Sequence, residues 1–232
     1  MYNKNLILII IAQIFGFTAA PFTIFLSGII GSTLTSLTTL STLPTASMVI
    51  GLASSTMIAS NIMSRIGRKR GFIYAAIYTS VSSLIAAVSI YYGDFLFYCL
   101  SCFAIGNGLA FTHQYRFAAA ESVEKNKVPK AISIILLGGI VSAFIGPGMA
   151  NYAKDIITEH LYAGSYLSLA VLTFIPTIFF LFYENTSKLE VNIKYSGRSY
   201  FELISQPRFL QAIVAAAFGY AIMTFLMTAT PL

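Results

Sequence analysis

Seven apolar stretches, each long enough to cross a lipid bilayer as a helix, are separated by short polar connections. They run Leu6–Leu26, Leu43–Ile62, Phe72–Tyr91, Phe95–Thr112, Ala131–Ala150, Leu161–Tyr183 and Phe209–Thr230. A hydrocarbon core about 30 Å thick needs roughly 20 helical residues at about 1.5 Å each. Backbone N–H and C=O groups find no water there, so a spanning segment pairs them internally or within a closed barrel. Apolar and polar residues do not alternate cleanly in these stretches, and a barrel strand needs only about ten residues. The pattern predicts an all-α, polytopic transmembrane helix bundle.

Composition agrees. The chain is 57% hydrophobic and 9% charged, against roughly a quarter charged in a soluble domain. Its net charge of +6 does not point to nucleic acid, because no basic stripe is interleaved with stacking aromatics. The expected surroundings are a lipid bilayer. The first stretch, Leu6–Leu26, is long enough to span and is expected to be retained rather than cleaved as a signal. Cys99 and Cys102 lie inside the fourth stretch and read as packing, since no βαβ context accompanies their spacing. With no metal-ligand cluster, nucleophile triad or phosphate loop, neither an enzyme nor a cofactor is expected.

The cations set an orientation. With a cytoplasmic N-terminus, twelve of them (Lys4, Arg65, Arg68, Lys69, Arg70, Lys125, Lys127, Lys130, Lys188, Lys194, Arg198 and Arg208) face inward, and only Lys154 faces outward. That is the asymmetry of a multi-pass protein whose inner loops hold Lys and Arg. The outer connections, Gly28–Thr42, Gly93–Asp94 and Asn151–His160, are nearly free of cations. Arg116 falls about 22 residues after Asp94, roughly 33 Å along a helix. That places it at the inner interface, in a helix-end salt link with Glu121 or a partner in the basic loop.

Between the second and third stretches stands Ser60-Asn61-Ile62-Met63-Ser64-Arg65-Ile66-Gly67-Arg68-Lys69-Arg70. Gly67 permits a positive φ in a very tight turn, and the cations can pair with helix C-termini or acids. A plain positive-inside loop is the competing reading. The segment resembles the signature loop of the major facilitator superfamily: Arg65, Gly67, Arg68 and Lys69 match, while Ser60 replaces a Gly and Ser64 an Asp. The resemblance implies a cytoplasmic gate that latches two halves, with one latch interaction lost at Ser64. A second match is the small-residue run of the fifth stretch, with Gly138, Gly139, Ser142, Ala143 and Gly146-Pro147-Gly148. It is similar to the Gly-Pro motif of antiporter branches, with Ala150 and Asn151 in place of the closing glycines. Close helix packing is the other reading of these residues.

The resemblance further implies twelve spans, of which seven are present. Residues 1–183 would form an N-terminal six-helix domain, and residues 184–208 a cytoplasmic linker. Residues 209–232 would then be the first helix of a truncated second domain, whose missing half is an expected partner. The implied function is secondary transport of a small molecule by alternating access, coupled to protons or another ion, in a cell membrane such as the bacterial inner membrane. A non-transporting remnant or an assembly or sensor subunit is the alternative. Candidate substrate-path residues are the polar side chains within the spans, Gln13, Asn107 and His113, with Thr224 and Thr228 one turn apart on the seventh helix. An interhelical hydrogen bond is the competing role for each. Cysteines introduced at positions 69 and 125 are expected to react with an impermeant thiol reagent from the same face of the membrane; labelling from opposite faces would overturn the topology.

Overall fold

Each apolar stretch folds as helix, and the computed structural model describes residues 3–158, 160–185 and 205–229, with the side chains of residues 228 and 229 outside the description. Seven helical segments are long and apolar enough to cross a membrane. Two are built of two helices in series: α1 (Lys4–Gly16) with α2 (Ala19–Leu34), and α5 (Phe95–Thr112) with α6 (Tyr115–Glu121). The others are the single helices α3 (Leu43–Ile66), α4 (Arg68–Tyr91), α7 (Val128–Tyr152), α8 (Ala163–Leu181) and α9 (Pro207–Ala229). Most of the expected linker, residues 186–204, lies outside the described residues.

Two connections differ from the sequence reading. The first span continues to Leu34, so the outer connection expected from Gly28 is confined to residues 35–42. The returning chain lies directly on α2, where a Cβ at Gly31 would overlap the Ser41 carbonyl. At the basic end, Gly67 alone separates α3 from α4, with φ +85°, a conformation that costs glycine nothing. The short turn Gly93–Asp94 is as expected. Gly93 has φ +70°, and the Asp94 carboxylate caps α5 by accepting from the Phe97 N–H at 3.0 Å.

In packing order, α5 lies between α3 and α4, α4 packs on α8, α8 on α1, α1 on α7, and α7 on α2 and α6. α9 rests mainly on α2 and is otherwise exposed. Buried side chains form two clusters. One, at the end away from the basic turn, contains Phe22, Met48, Ile90, Tyr98, Ile105 and Tyr166. The other, near the basic end, contains Ile9, Phe72, Tyr115, Ile135, Phe180 and Tyr183. Ring centroids within the second lie 4.8–5.1 Å apart for Phe72–Tyr115, Phe72–Phe180 and Tyr115–Phe180, inside the range where edge and tilted aromatic pairs attract.

Lipid tails offer no hydrophobic drive for helices to associate, so close backbone approach and hydroxyl bonding do that work. A Cβ at Gly51 would overlap the Phe103 carbonyl, and one at Gly106 the Met48 carbonyl. The α3–α5 crossing is therefore backbone against backbone. Ser80 on α4 donates to the Ala170 carbonyl of α8 at 2.8 Å, and Ser165 on α8 to the Ala150 carbonyl of α7 at 2.6 Å. Gly106→Val is expected to push α3 from α5 and cost about 1–3 kcal/mol, as overpacking of a tight contact does. Thermal melts in detergent would show this as a lowered Tm, whereas Gly148→Val, with open space around it, leaves the Tm unchanged.

Candidate functional site

The first span is interrupted because Pro21 has no N–H to give the Phe17 carbonyl. That carbonyl accepts instead from the Ala20 N–H at 3.2 Å, and the Thr18 N–H turns to the Phe15 carbonyl at 3.3 Å. The Ile14 carbonyl thereby loses its backbone donor. Two hydroxyls replace it: Thr18 Oγ1 donates at 2.7 Å, and Ser142 Oγ of α7 also at 2.7 Å. Small residues on α7 permit this approach. A Cβ at Gly138 would sit 3.3 Å from Gln13 Cγ, and one at Gly146 3.1 Å from the Phe22 nitrogen. The glycines of the fifth-stretch motif thus seat α7 against the break. Pro147 stays inside the continuous α7, and Gly148 faces open space.

The fourth span breaks at His113-Gln114 without glycine or proline. The turn tightens there: the Gln114 N–H donates to the Phe111 carbonyl and the Phe117 N–H to the Gln114 carbonyl, each at 3.0 Å. Both breaks lie side by side. The Phe17 ring meets the His113 ring edge-on at 5.4 Å, and Gly16 leaves room for buried Tyr115, whose Oη lies 3.3 Å from where a Cβ would be.

Beside the two breaks lies a cavity of about 370 Å³, within the size range of small-molecule sites. Gln13, Phe17, Pro21 and Ile24 line it from the first span, and Thr112, His113 and Arg116 from the fourth. α7 adds Ile135, Leu136, Gly139, Ile140 and Ala143, and α9 adds Tyr220, Met223 and Met227. An apolar, partly aromatic chamber thus carries a few polar groups: one amide, two hydroxyls, one imidazole and one guanidinium. Among the described residues, no carboxylate lines it.

Of the residues singled out from the sequence, the cavity collects Gln13, His113, Arg116, Gly139 and Ala143. It does not collect Asn107. That side chain accepts from Ser55 Oγ at 3.0 Å and donates to Tyr78 Oη at 3.5 Å, joining α5 to α3 and α4 as the interhelical reading had it. Thr224 is not on the wall, which α9 supplies through Tyr220, Met223 and Met227; the Thr228 side chain lies outside the described residues. Phe17, Thr112 and Tyr220 escaped sequence reasoning. Their one signal is helical spacing: Phe17 stands four residues from Gln13, and Thr112 four from Arg116.

The basic turn forms a second site. Arg68 grips Glu121 at the end of α6 with Nε to Oε2 at 2.6 Å and a second bond from Nη2 to Oε1. This corrects the expected Arg116–Glu121 link: Arg116 faces the cavity, with its guanidinium carbon 5.0 Å from the Phe117 ring centre. Lys69 Nζ donates to the Leu181 carbonyl at 2.6 Å, and the Lys69 N–H to Asn185 Oδ1 at 3.0 Å. Asn5 exchanges two hydrogen bonds with the backbone of Glu184, at 2.8 and 3.2 Å. Arg65, Ser60 and Ser64 are exposed on α3. Ser60 and Ser64 line an open groove with Met57, Ile58 and Asn61, and Arg65 makes no ion pair among the described residues.

The model of the Major Facilitator Superfamily matches residues 6–232. The chain is 34% identical over 232 residues to the riboflavin transporter RfnT of Brucella anthropi, covering 99% of this chain and 58% of that protein. It is 23% identical over 254 residues to the uncharacterized MFS-type transporter YddS of Bacillus subtilis, covering 100% of this chain and 56% of that protein. The chain thus spans little more than half the length of these two relatives. No solved structure matches it.

Glu121→Gln is expected to release Arg68 and loosen the turn around Gly67. Trypsin cleavage at Arg65–Arg70, followed by fragment mass, accelerates several-fold in this variant and in Asn185→Ala, which uncaps Lys69. Glu124→Gln, whose exposed pair with Lys127 spans three residues of one loop, leaves the rate unaltered.

Proposed function

This chain belongs to the major facilitator superfamily, and we propose that it forms the N-terminal half of a transporter that moves riboflavin, or a planar heterocycle much like it, across the cell membrane. The similarity to the Brucella anthropi riboflavin transporter over nearly the whole chain supports that substrate. The observation that carries the reading is the cavity where two interrupted spans meet. Broken helices bring polar groups to a site away from the membrane faces, as transporter binding sites require. Its apolar walls suit an aromatic ring system, and Gln13 and Tyr220 can hydrogen-bond the polar edge of a heterocycle.

Residues 1–183 form the six-helix domain in this reading, residues 184–208 the cytoplasmic linker, and α9 opens the second domain. The N-terminus faces the cytoplasm. Transport proceeds by alternating access, with the two halves rocking around the cavity and the turn from Arg65 to Lys69 closing the inner side. None of the eight acidic residues lies deep within an apolar stretch. A coupling carboxylate therefore belongs to the second half, or transport is facilitative; uptake that survives an uncoupler selects the latter.

Expression of the gene encoding this chain in a bacterium that neither makes nor imports riboflavin is expected to restore growth on low riboflavin. Gly139→Leu tests the cavity itself. A Cβ there lies 3.8 Å from Phe17 and 3.9 Å from the Gln13 amide, so a leucine fills the chamber without meeting backbone. Uptake of labelled riboflavin falls at least tenfold at unchanged abundance in the membrane. Growth and uptake that never depend on the gene, or that ignore a filled cavity, would sink the proposal.

A further inference from the structure

We infer that Arg116 makes the cavity a charge filter, admitting planar ligands that are neutral or anionic and refusing planar cations. The inference rests on the reading of this cavity as the substrate site. Three observations lead to it. Among the described residues, Arg116 is the cationic side chain on a wall that holds no Asp or Glu. The nearest acid along the same span, Glu121, is already held by Arg68 through two hydrogen bonds, one of 2.6 Å. Arg116 makes no ion pair among the described residues and lies over the Phe117 ring, 5.0 Å from its centre.

The exposed Arg116 guanidinium, without a counter-ion among the described residues, borders a chamber walled by Ile24, Ile135, Leu136, Ile140 and Met223. Those apolar walls screen less than water does, so its field toward the chamber is stronger than toward open solvent. A cation entering the chamber meets like charge and leaves its hydration behind, with no carboxylate to receive it. An anion, or a carbonyl-rich ring edge, meets a fork of N–H donors suited to paired oxygens. The Arg68–Glu121 pair therefore has a second effect beyond binding the basic turn: it engages the nearest acid along the span of Arg116.

The test uses the whole protein purified from the gene encoding this chain, in nanodiscs of zwitterionic lipid, and measures binding by fluorescence titration. Four planar probes are compared: riboflavin (neutral), flavin mononucleotide and fluorescein (anionic), and proflavine (cationic). Proflavine is expected to bind at least tenfold more weakly than riboflavin. In Arg116→Gln this ratio collapses to within threefold, and Arg116→Lys restores it. Lys130→Gln, which removes an exposed cation of α7 that is not on the wall, retains it. Proflavine binding as tightly as riboflavin to the unaltered chain, or a ratio indifferent to Arg116→Gln, overturns the filter. Fluorescein bound in preference to proflavine, with no flavin bound, leaves the filter standing and removes the riboflavin reading. Failure of all four probes to bind removes both.

Discussion

Hydrogen bonding of the backbone, where no water can substitute, is the constraint under which the whole bundle is arranged. An unpaired carbonyl in hydrocarbon costs several kcal/mol, so a helix can be interrupted only where another group takes over. The Ile14 carbonyl shows how: the donor lost at the break is replaced by hydroxyls from Thr18 and Ser142. Serines and threonines on α4 follow the same economy. Thr79, Ser82, Ser83 and Ser89 each donate to the carbonyl four residues earlier at 2.7–2.9 Å, and so need no partner across a helix interface. Ser80, the exception on that helix, reaches α8 instead.

Charge obeys the same economy. Glu121, an acid within a span, stands at that span's end, and the three ion pairs among the described residues all lie at the basic end. They are not equal. Lys4 and Glu184 are 3.9 Å apart with both side chains largely exposed, a geometry worth about 0–1 kcal/mol. Arg68–Glu121 is bidentate and better sheltered, with side-chain exposures of 18% and 39%. Of the three, it is the pair with the geometry to hold two spans together. Away from that end, glycine contacts and hydroxyl-to-carbonyl bonds hold the helices.

Hydropathy and the placement of Lys and Arg made the number and kind of spans legible, because the cost of burying backbone or charge in lipid is written into composition. The gaps had physical reasons too. Pro21 stood inside the first apolar stretch, yet only the structure shows that its missing donor, not a loop, divides the span. The break at His113 has no glycine or proline to announce it; Phe17 and Tyr115 pack beside the turn. Asn107 and Gln13 look alike in sequence, each a lone amide in an apolar helix. Neighbours decided between them: Ser55 and Tyr78 occupy Asn107, while glycines opposite Gln13 leave space. Likewise the sequence offers Glu121 both Arg116 and the basic turn, and in the structure the acid pairs with Arg68.

At Gly67 the chain turns with positive φ, and the Asn185 side chain sits over the glycine, its amide nitrogen 3.0 Å from where a Cβ would project. The same side chain accepts from the Lys69 N–H, while Asn5 holds the neighbouring Glu184 backbone. The segment leaving α8 is thus stitched to the hairpin between α3 and α4 before it goes anywhere else. Tension applied to whatever follows Asn185 would be delivered first to the hinge of that hairpin, as a lanyard knotted to a latch transmits its pull.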